Sequence, residues 1–330
     1  MLVSVIIPTW NRKAEVIACV RSVVAQDYGE KEIIVFDNGS QDGTSEALAA
    51  EFPTVRVVKN RENLGAVRAR NQAIRLAKGE FVWFLDSDVE ILDSTCLTRM
   101  LKAWQNDENI GCMGGEGVFD SSGRLIGAKR AMLRPNGMPR GEVLLGGEPY
   151  GLVDADWLVT ANLLTKLKYV RQVGGFDPWF KHFSEDQDLT TRIARLGRRN
   201  VIVRMVPVLH KYSASSRIVD LFLANKSRMY FAIKHFTWPR VVLLPLLDLR
   251  YFLDPTNLIR GYRHLNRHPS HTSTRDRAAP ARRLFALLRF GLVNAASVIY
   301  AYLVVPMILM DALAARSREV SSGKHKEAWR

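Results

Sequence analysis

Strands alternate with helices over the first 88 residues of this chain, and that alternation restricts the folds that it can adopt. Short apolar runs rich in Val, Ile and Phe are separated by segments whose apolar residues recur at helical spacing. Repeated strand–helix–strand units of this length indicate an α/β fold built on parallel strands. The predicted strands are residues 3–8, 32–36, 55–58 and 80–85, and the predicted helices are residues 13–26, 42–51 and 66–77.

The acidic triplet Asp86-Ser87-Asp88 follows directly after the apolar run of residues 80–85. Two carboxylates at the carboxyl end of a parallel strand lie where open α/β sheets bind their ligands. Both carboxylates suit a hard divalent cation whose other ligands are phosphate oxygens and water. Short acidic triplets are also common in solvated loops, so the triplet alone leaves both interpretations open.

The turn after the first strand argues against one large class of doubly wound proteins. Dinucleotide-binding proteins carry G-x-G-x-x-G there, so that the backbone can approach the pyrophosphate. In this chain the turn reads Pro8-Thr9-Trp10-Asn11 and contains no glycine. The glycines of residues 111–117 are expected to follow a much later strand and to open no helix. A nicotinamide-dependent function is therefore not expected.

Short motifs follow one another in a fixed order from Val3 to about His235. They include Val5-Ile6-Ile7-Pro8-Thr9-Trp10-Asn11, Asp37-Asn38-Gly39-Ser40, Asn63-Leu64-Gly65, Ala69-Arg70-Asn71, Leu85-Asp86-Ser87-Asp88, Gly174-Gly175-Phe176-Asp177, Ser184-Glu185-Asp186-Gln187-Asp188, His210 and Asn225-Lys226-Ser227-Arg228. In this order they resemble the motifs of inverting family-2 glycosyltransferases. The resemblance implies the GT-A fold, a Rossmann-like α/β fold with a mixed sheet flanked by helices. It looks most like the rhamnosyl- and galactosyltransferase branch, which assembles cell-surface polysaccharides and glycans.

The resemblance implies a nucleotide-diphosphate sugar as donor and a divalent cation, Mg²⁺ or Mn²⁺, as cofactor. Such a cation neutralises the charge that the leaving diphosphate gains. By resemblance Asp88 contacts the metal, Asp86 lies between the ribose and the metal, and His210 adds a nitrogen ligand. A buried, hydrogen-bonded histidine after a strand over residues 201–208 explains His210 equally well. The residues implied around the nucleoside are Pro8, Thr9, Asn11, Asp37 and Arg70, although residues 37–40 are also ordinary turn sequence.

Asp186 is the general base that the resemblance implies, because a positioned carboxylate can take the proton of an attacking acceptor hydroxyl. Glu185 accompanies it, and the loop with Gly175, Phe176 and Asp177 is implied to shape the acceptor site. The pattern Ser184-x-x-Gln187 also predicts a capping box that opens a helix over residues 186–196. The two interpretations are compatible, because a helix N-terminus is expected to keep Asp186 ionised.

The C-terminal part of the chain combines positive charge with apolar segments. Residues 198–330 contain 23 Lys and Arg but 7 Asp and Glu, a net charge of +16 in a chain whose total is +14. A helix is predicted over residues 216–236, interrupted by the apolar run 241–247, and a basic loop over residues 264–283. Residues 290–310 carry no charged side chain and are long enough to cross a bilayer. Basic residues on both flanks favour a segment on the membrane surface or a re-entrant hairpin, with a buried core helix as the alternative.

These features predict a catalytic domain over residues 1–212 and a helical, basic, membrane-associated region over residues 213–330. The start of the chain has no signal-peptide pattern, so the cytoplasmic side of the membrane is expected, with peripheral or C-terminal attachment. The predicted function is metal-dependent, inverting sugar transfer to a hydroxyl of a lipid-linked saccharide. The alternatives are a polyprenyl-phosphate sugar synthase, a glycoside hydrolase with paired carboxylates and a non-catalytic membrane-binding module. Nucleic acid is not expected as a partner, because no known binding motif accompanies the basic tail.

Overall fold

The structure is a computed structural model that describes residues 1–181, 183–211, 217–254 and 280–321. The described residues form two compact units. The first contains residues 1–133 and 139–211, and the second contains residues 134–138, 217–254 and 280–321. The predicted domain boundary at residues 212–213 lies outside the described residues.

The first unit contains thirteen strands and six helices. In chain order these are β1 Val3–Thr9, α1 Lys13–Val24, β2 Lys31–Asp37, α2 Thr44–Glu51, β3 Arg56–Lys59, α3 Ala66–Leu76, β4 Phe81–Leu85, β5 Val89–Ile91, α4 Cys96–Gln105, β6 Ile110–Gly114, β7 Gly117–Phe119, β8 Leu125–Leu133, β9 Pro139–Leu145, β10 Leu152–Ala155, β11 Asn162–Lys166, α5 Leu167–Gln172, α6 Glu185–Ala194, β12 Arg199–Val203 and β13 Val208–His210. The strands and helices predicted for the first 85 residues are confirmed to within two residues at each end.

Eight strands form the central sheet, in the order β10-β12-β6-β11-β4-β1-β2-β3. The strands β4, β1, β2 and β3 are parallel, whereas β11 runs antiparallel to both of its neighbours, β4 and β6. The predicted mixed α/β sheet is therefore confirmed. Strand β4 is buried along its whole length, as its continuous apolar sequence requires. Helix α1 packs an apolar stripe at helical spacing against the core through Val16, Cys19, Val20 and Val23.

Two small sheets complete the first unit. In one, β13 pairs antiparallel with β5; in the other, β7, β8 and β9 form a meander. The prediction of one strand over residues 201–208 is wrong, because β12 ends at Val203 and β13 begins only at Val208. Pro207, which has no N–H to donate, separates the two strands. Of the glycines of residues 111–117, Gly111 and Gly114 lie within β6, Gly115 directly follows it, and Gly117 begins β7, so these glycines only partly follow a strand and open no helix, as predicted. A side chain at Gly114 would lie 1.9 Å from the carbonyl oxygen of Asn162, so the close strand approach requires glycine.

The second unit is helical in the part that the structure describes. Its helices are α7 Arg217–His235, α8 Trp238–Val242, α9 Leu244–Leu253, α10 Pro280–Leu303 and α11 Val305–Ser321. Helix α7 packs against α10 and α11 and buries Tyr230 and Phe231, and Phe236 directly after the helix is buried too. The helix predicted over residues 216–236 thus corresponds to α7, while the interruption predicted over residues 241–247 contains the break between α8 and α9. Most of the loop predicted over residues 264–283 lies outside the described residues, and α10 already begins at Pro280.

Residues 290–310 do not form one continuous helix. Helix α10 ends at Leu303, α11 begins at Val305, and the two segments are bent by 63°. Pro306 lies in the first turn of α11, where its missing N–H is tolerated but would break a continuous helix. No single described helix is long and apolar enough to cross a membrane, although the bent pair Gly291–Leu303 and Val305–Glu319 passes on length and composition alone.

Candidate active site

Three loops meet at the carboxyl edge of the parallel strands β1, β2 and β4. Thr9 at the end of β1 lies opposite Asp37 at the end of β2, and Ile6 of β1 lies opposite Phe84 of β4. The loops that follow these strands are therefore neighbours. This edge is where open α/β sheets bind ligands, and it carries the predicted nucleotide and metal residues.

Asp86, Asp88 and His210 form a compact cluster at this edge. One ligand atom from each residue lies within 4.8 Å of the others. His210 is distant in sequence but is brought in by β13, which pairs with β5 so that His210 lies opposite Val89. Two carboxylates and an imidazole are oxygen and nitrogen ligands that suit Mg²⁺ or Mn²⁺ in partial coordination, so the residues present fit the implied cation.

The cluster is charged and largely buried. Arg12 Nη1 lies 2.6 Å from Asp88 Oδ2, and His210 Nε2 lies 3.2 Å from Asp88 Oδ1. Burial would raise the pKa of Asp88, but His210 and Arg12 outweigh it and lower that pKa. Burial would lower the pKa of His210, but its hydrogen bonds to Asp88 and Glu116 raise that pKa to about 10. The imidazole thus lies between two carboxylates, Asp88 and Glu116.

Arg12 and Glu116 belong to this site although the sequence did not identify them. Glu116 Oε1 lies 2.5 Å from His210 Nδ1, and its Oε2 lies 2.7 Å from Lys129 Nζ. Burial would raise the pKa of Glu116, but His210 and Lys129 lower it to about 2. The available signal was a lone acidic residue between Gly115 and Gly117, directly after a buried strand.

The residues predicted around the nucleoside line the loops after β1 and β2. Pro8 and Thr9 end β1, and the buried Thr9 Oγ1 has no hydrogen-bond partner among the described residues. The Asn11 main-chain N–H donates to Ser40 Oγ at 2.8 Å, and Asn11 Oδ1 accepts from the Gln41 N–H at 2.8 Å. Asn11 thus holds the first loop against the second.

Asp37 is completely buried and organises the second loop. Its Oδ1 accepts the Ser40 N–H at 2.9 Å, and its Oδ2 accepts a short bond from the Ser45 hydroxyl. The interpretation of residues 37–40 as turn sequence is therefore confirmed. This turn holds Asp37 beside Thr9, at the same edge of the sheet as the cluster.

Arg70, on α3, connects the acidic triplet with the start of α6. Its Nη2 lies 2.5 Å from Asp86 Oδ1, and its Nη1 lies 3.7 Å from Glu185 Oε1. Arg70 is only 3% exposed, and its guanidinium lies over the ring of Phe176, 5.6 Å from the ring centroid. Within the described residues, Nε and Nη1 are buried without a hydrogen-bond acceptor. Buried guanidinium N–H groups without acceptors are costly and suit an anionic ligand.

Glu185 and Asp186 lie in the first turn of α6, as predicted, but the capping box is wrong. Ser184 has φ 65°, a left-handed conformation, and makes no side-chain cap bond. A capping serine normally has an extended backbone, so this geometry withholds its hydroxyl from the helix N–H groups. Desolvation and the neighbouring Glu185 raise the pKa of Asp186 well above its usual value. These two effects therefore outweigh the helix N-terminus in setting the pKa of Asp186. A carboxylate with a raised pKa is a stronger base once it is ionised.

The predicted acceptor loop is anchored to α3 by Asn71. Asn71 Nδ2 donates to the Phe176 carbonyl and its Oδ1 accepts the Phe176 N–H, each at 2.8 Å. A side chain at Gly175, which has φ 74°, would lie 2.7 Å from Asn71 Oδ1. Phe176 is buried against Phe84, and Asp177 Oδ1 accepts the Trp179 N–H at 3.0 Å. Gly175 and Phe176 therefore fix the loop, while the partly exposed Asp177 lies at its surface.

The family assignment agrees with this geometry. Residues 4–166 match the family described as Glycosyl transferase family 2. The matched segment contains the loops after β1, β2 and β4 and the whole acidic triplet. The chain thus contains a glycosyltransferase family 2 domain over these residues.

Two curated relatives illustrate how far the sequence similarity extends. An uncharacterised glycosyltransferase, YfnE of Bacillus subtilis, is 39% identical over 114 residues, which cover 33% of this chain and 29% of YfnE. WfgD of Escherichia coli, a UDP-Glc:α-D-GlcNAc-diphosphoundecaprenol β-1,3-glucosyltransferase, is 38% identical over 88 residues, covering 26% of this chain and 35% of WfgD. The chain therefore aligns with only part of these relatives.

Solved structures with the same fold confirm the GT-A architecture. The mannosyltransferase PcManGT from Pyrobaculum calidifontis, in complex with GDP-Man and Mn²⁺, has a TM-score of 0.54 at 19% identity, covering 92% of this chain and 86% of PcManGT. GalNAc-T7, solved with UDP, GalNAc and Mn²⁺, has a TM-score of 0.59 at 16% identity, covering 72% of this chain and 48% of GalNAc-T7. At these identities the similarity establishes the fold.

Proposed function

We propose that this protein is a metal-dependent, inverting glycosyltransferase that moves a sugar from a nucleotide-diphosphate donor to a hydroxyl of a lipid-linked saccharide. One observation carries the proposal. The cluster of Asp86, Asp88 and His210 is joined through Arg70 to Glu185, which precedes the candidate base Asp186. A donor-binding group and a proton acceptor are thus connected within one site.

The donor end of the site is built for a diphosphate. Asp86, Asp88 and His210 would hold a divalent cation, which when bound supplies Lewis-acid neutralisation of the leaving diphosphate. The N–H groups of Arg70 that lack acceptors point to the same need for anionic oxygens. The unpartnered Thr9 hydroxyl and the loop held by Asp37 supply polar contacts for the nucleoside.

The acceptor end is built for proton removal. A saccharide hydroxyl is a poor nucleophile until a base accepts its proton during attack on the anomeric carbon. Asp186 has the raised pKa that a strong carboxylate base requires, and Arg70 holds the adjacent Glu185 in place. The loop of Gly175 and Phe176, fixed by Asn71, forms the neighbouring wall.

Similar proteins support the choice of donor, cofactor and acceptor class. Both structural neighbours were solved with a nucleotide or nucleotide sugar and Mn²⁺, so Mn²⁺ is the first cation to test. WfgD is named for a diphosphoundecaprenol-linked acceptor, which supports a lipid-linked saccharide in polysaccharide assembly.

The proposed place of action is the cytoplasmic membrane surface, and the composition of α10 and α11 supports it. Val304, Ile308 and Ala312 are buried, yet the opposite stripe is also apolar. Its side chains are exposed: Leu303 by 72%, Met307 by 77% and Met310 by 71%. A short stretch that is apolar on both its buried and its exposed side, as residues 303–310 are, is typical of contact with lipid. The basic residues of this part of the chain favour an anionic bilayer.

Metal-dependent donor binding tests the enzymatic proposal. The full-length protein is screened against UDP-, GDP- and dTDP-sugars for thermal stabilisation, with Mn²⁺, with Mg²⁺ and with excess chelator. We expect one nucleotide class to stabilise the protein only with the cation, by about 2.7 kcal/mol when the ligand is at a hundred times its Kd. Stabilisation by no nucleotide sugar, or equal stabilisation in chelator, would overturn the proposal. Sugar release from a saccharide without any nucleotide donor would instead support a glycoside hydrolase.

Vesicle flotation tests the proposed location. The full-length protein is expected to float with anionic vesicles, and the double variant Met307→Asp/Met310→Asp is expected to lose most of this binding. Val143→Asp/Leu145→Asp is the matched control, because these side chains are also exposed and apolar but belong to β9 of the first unit. Equal flotation of all three proteins, or no flotation of the wild type, contradicts the proposal.

A further inference from the structure

His210 is held from two directions in the structure. Its backbone is fixed by the pairing of β13 with β5, and the next residue, Lys211, donates its N–H to the Asp88 carbonyl at 2.8 Å. This pairing places the Cα atom beside the acidic triplet, but it leaves the side-chain torsions free to rotate. The ring orientation therefore needs a separate contact.

Glu116 makes that contact on the ring nitrogen that does not face Asp88. Its Oε1 lies 2.5 Å from His210 Nδ1, while His210 Nε2 lies 3.2 Å from Asp88 Oδ1. Because each ring nitrogen has a different carboxylate as its neighbour, rotation or flipping of the ring would break both contacts. The position of Glu116 thus determines which nitrogen points towards the acidic triplet.

Glu116 is itself held firmly. It is 4% exposed, its Oε2 lies 2.7 Å from Lys129 Nζ, and its carbonyl accepts the Lys129 N–H at 3.1 Å. Lys129 belongs to β8, so Glu116 is tied to the three-stranded sheet as well as to His210. A carboxylate bound at both oxygens and buried has few alternative rotamers.

We propose that Glu116 is a positioning residue that orients His210 so that Nε2, rather than Nδ1, binds the divalent cation. This inference rests on the proposed function, because it assumes that Asp86, Asp88 and His210 hold a metal. Glu116 accepts the Nδ1–H bond, which fixes the tautomer and leaves the Nε2 lone pair for the cation. Removing such a partner of a ligating histidine costs about 10–100-fold in metal affinity.

Manganese affinity of the full-length protein tests the inference without an activity assay. Free Mn²⁺ is measured by electron paramagnetic resonance for the wild type, Glu116→Ala, Glu116→Gln and Glu142→Ala. Glu142 is the control, because it also pairs with a basic residue of β8, Arg130, at 3.4 Å, but among the described residues Glu142 itself makes no contact with His210. We expect Glu116→Ala to raise the Mn²⁺ Kd by about 10–100-fold and Glu142→Ala to leave it unchanged. Glu116→Gln keeps the side-chain length and an acceptor oxygen, so it is expected to lose less.

A double-mutant cycle with His210→Ala separates positioning from a general charge effect. If Glu116 acts through the imidazole, Glu116→Ala causes no further loss of affinity once His210 is Ala. An equal loss in both backgrounds overturns the inference, as does an unchanged Kd in folded Glu116→Ala and Glu116→Gln. If the wild type binds Mn²⁺ but the Glu116 variants bind equally well, the proposed function survives and only the positioning role fails. No Mn²⁺ binding by the wild type removes both.

Discussion

Arg70 and Arg228 are both 3% exposed, and both pair with an aspartate, yet their surroundings differ. Arg228, in the second unit, bonds Asp248 through Nη1 and Nη2 at 3.1 and 2.9 Å, the Asn136 carbonyl at 2.7 Å and Asn225 Oδ1 at 3.2 Å. Arg70 has one short bond, to Asp86, and its Nε and Nη1 are buried without acceptors among the described residues.

The difference separates the structural charge network around Arg228 from the candidate binding site around Arg70. Asp248 is saturated too, since Asn136 Nδ2 and the Tyr302 hydroxyl donate to it at 2.8 and 2.7 Å. A buried ion pair with every group bonded can stabilise a unique packing, but it has no capacity left for a ligand. Among the described residues, Arg70 retains buried N–H groups without acceptors, beside the cluster of Asp86, Asp88 and His210. Arg70 and Arg228 are equally buried, so what distinguishes their surroundings is whether every polar group has a hydrogen-bond partner.

Asp88→Asn is expected to have the largest effect on turnover. It tests whether the region around Arg70 is a reaction site. Loss of a metal-ligating carboxylate should lower turnover by at least about 10³-fold, because several kcal/mol of charge stabilisation are removed. The fold should survive, as urea denaturation can check. Asp154→Asn is the control and should retain activity, because Asp154 is an exposed residue of β10 that pairs with Arg199 of β12. Near-normal turnover of Asp88→Asn, or full wild-type activity in chelator, would remove the metal from the proposal.

Asp186→Asn is expected to lower turnover by about 10²–10⁴-fold on a hydroxyl acceptor, the usual range for loss of a general base. Donor affinity should change little, since the amide keeps the shape of the carboxyl and is not expected to contact the nucleotide. The measurement is the separate determination of kcat and donor Kd. A collapse of donor affinity would assign Asp186 to the nucleotide site. Activity that persists on a lipid phosphate acceptor would favour a polyprenyl-phosphate sugar synthase.

Arg228→Met tests whether the charge network around Arg228 is purely structural. It leaves Asp248 buried without its cation, which should lower the free energy of unfolding by about 3–5 kcal/mol. Donor affinity of the folded fraction should stay unchanged. The double variant Arg228→Met/Asp248→Leu removes both charges and should recover part of the lost stability, with the rest missing because Asn136 and Tyr302 lose their acceptor. Weakened donor binding in folded Arg228→Met would contradict the distinction between the structural network around Arg228 and the candidate site around Arg70.

Arg70→Met should show the reverse pattern, with a smaller loss of stability and a clear loss of donor affinity. Hydrogen bonds to charged groups contribute about 1.5–3 kcal/mol each, so donor Kd should rise by roughly 10–100-fold. Isothermal titration of the donor with Mn²⁺ measures this change. If Arg70→Met instead destabilises the protein as strongly as Arg228→Met and binds donor normally, Arg70 is structural.

The sequence predicted the part of the site that depends on local pattern. The strands β1, β2 and β4 have apolar runs long enough to identify, and their parallel order places Asp37, Asp86 and Asp88 at one edge. Among residues contributed by long-range pairing, His210 was predicted only through the family resemblance and Glu116 was not predicted. His210 reaches the cluster only because β13 pairs with β5, and Glu116 contacts it only through the turn between β6 and β7.

Local backbone geometry also overrode two sequence patterns. The capping-box pattern at Ser184 fails because consecutive residues, Phe183 and Ser184, have φ near 65°. The apolar run of residues 290–310 is divided because Pro306 follows a helix break at Val304. A motif records which side chains are present, whereas φ and the packing of distant elements determine where those side chains point.

The smallest expected effect is a shift in the pH dependence of transfer. Asp186 acts as a base only when ionised, so activity should fall as the pH drops through its pKa. Desolvation and Glu185 raise that pKa above the usual aspartate value, so the acidic limb of the kcat profile should lie at correspondingly higher pH. Removing the neighbouring negative charge in Glu185→Gln lowers the pKa of Asp186, and the limb should move to lower pH. Glu80→Gln, at an exposed position before β4, is the control and should leave the profile unchanged. A limb that stays fixed in Glu185→Gln would show that a group other than Asp186 titrates in the reaction.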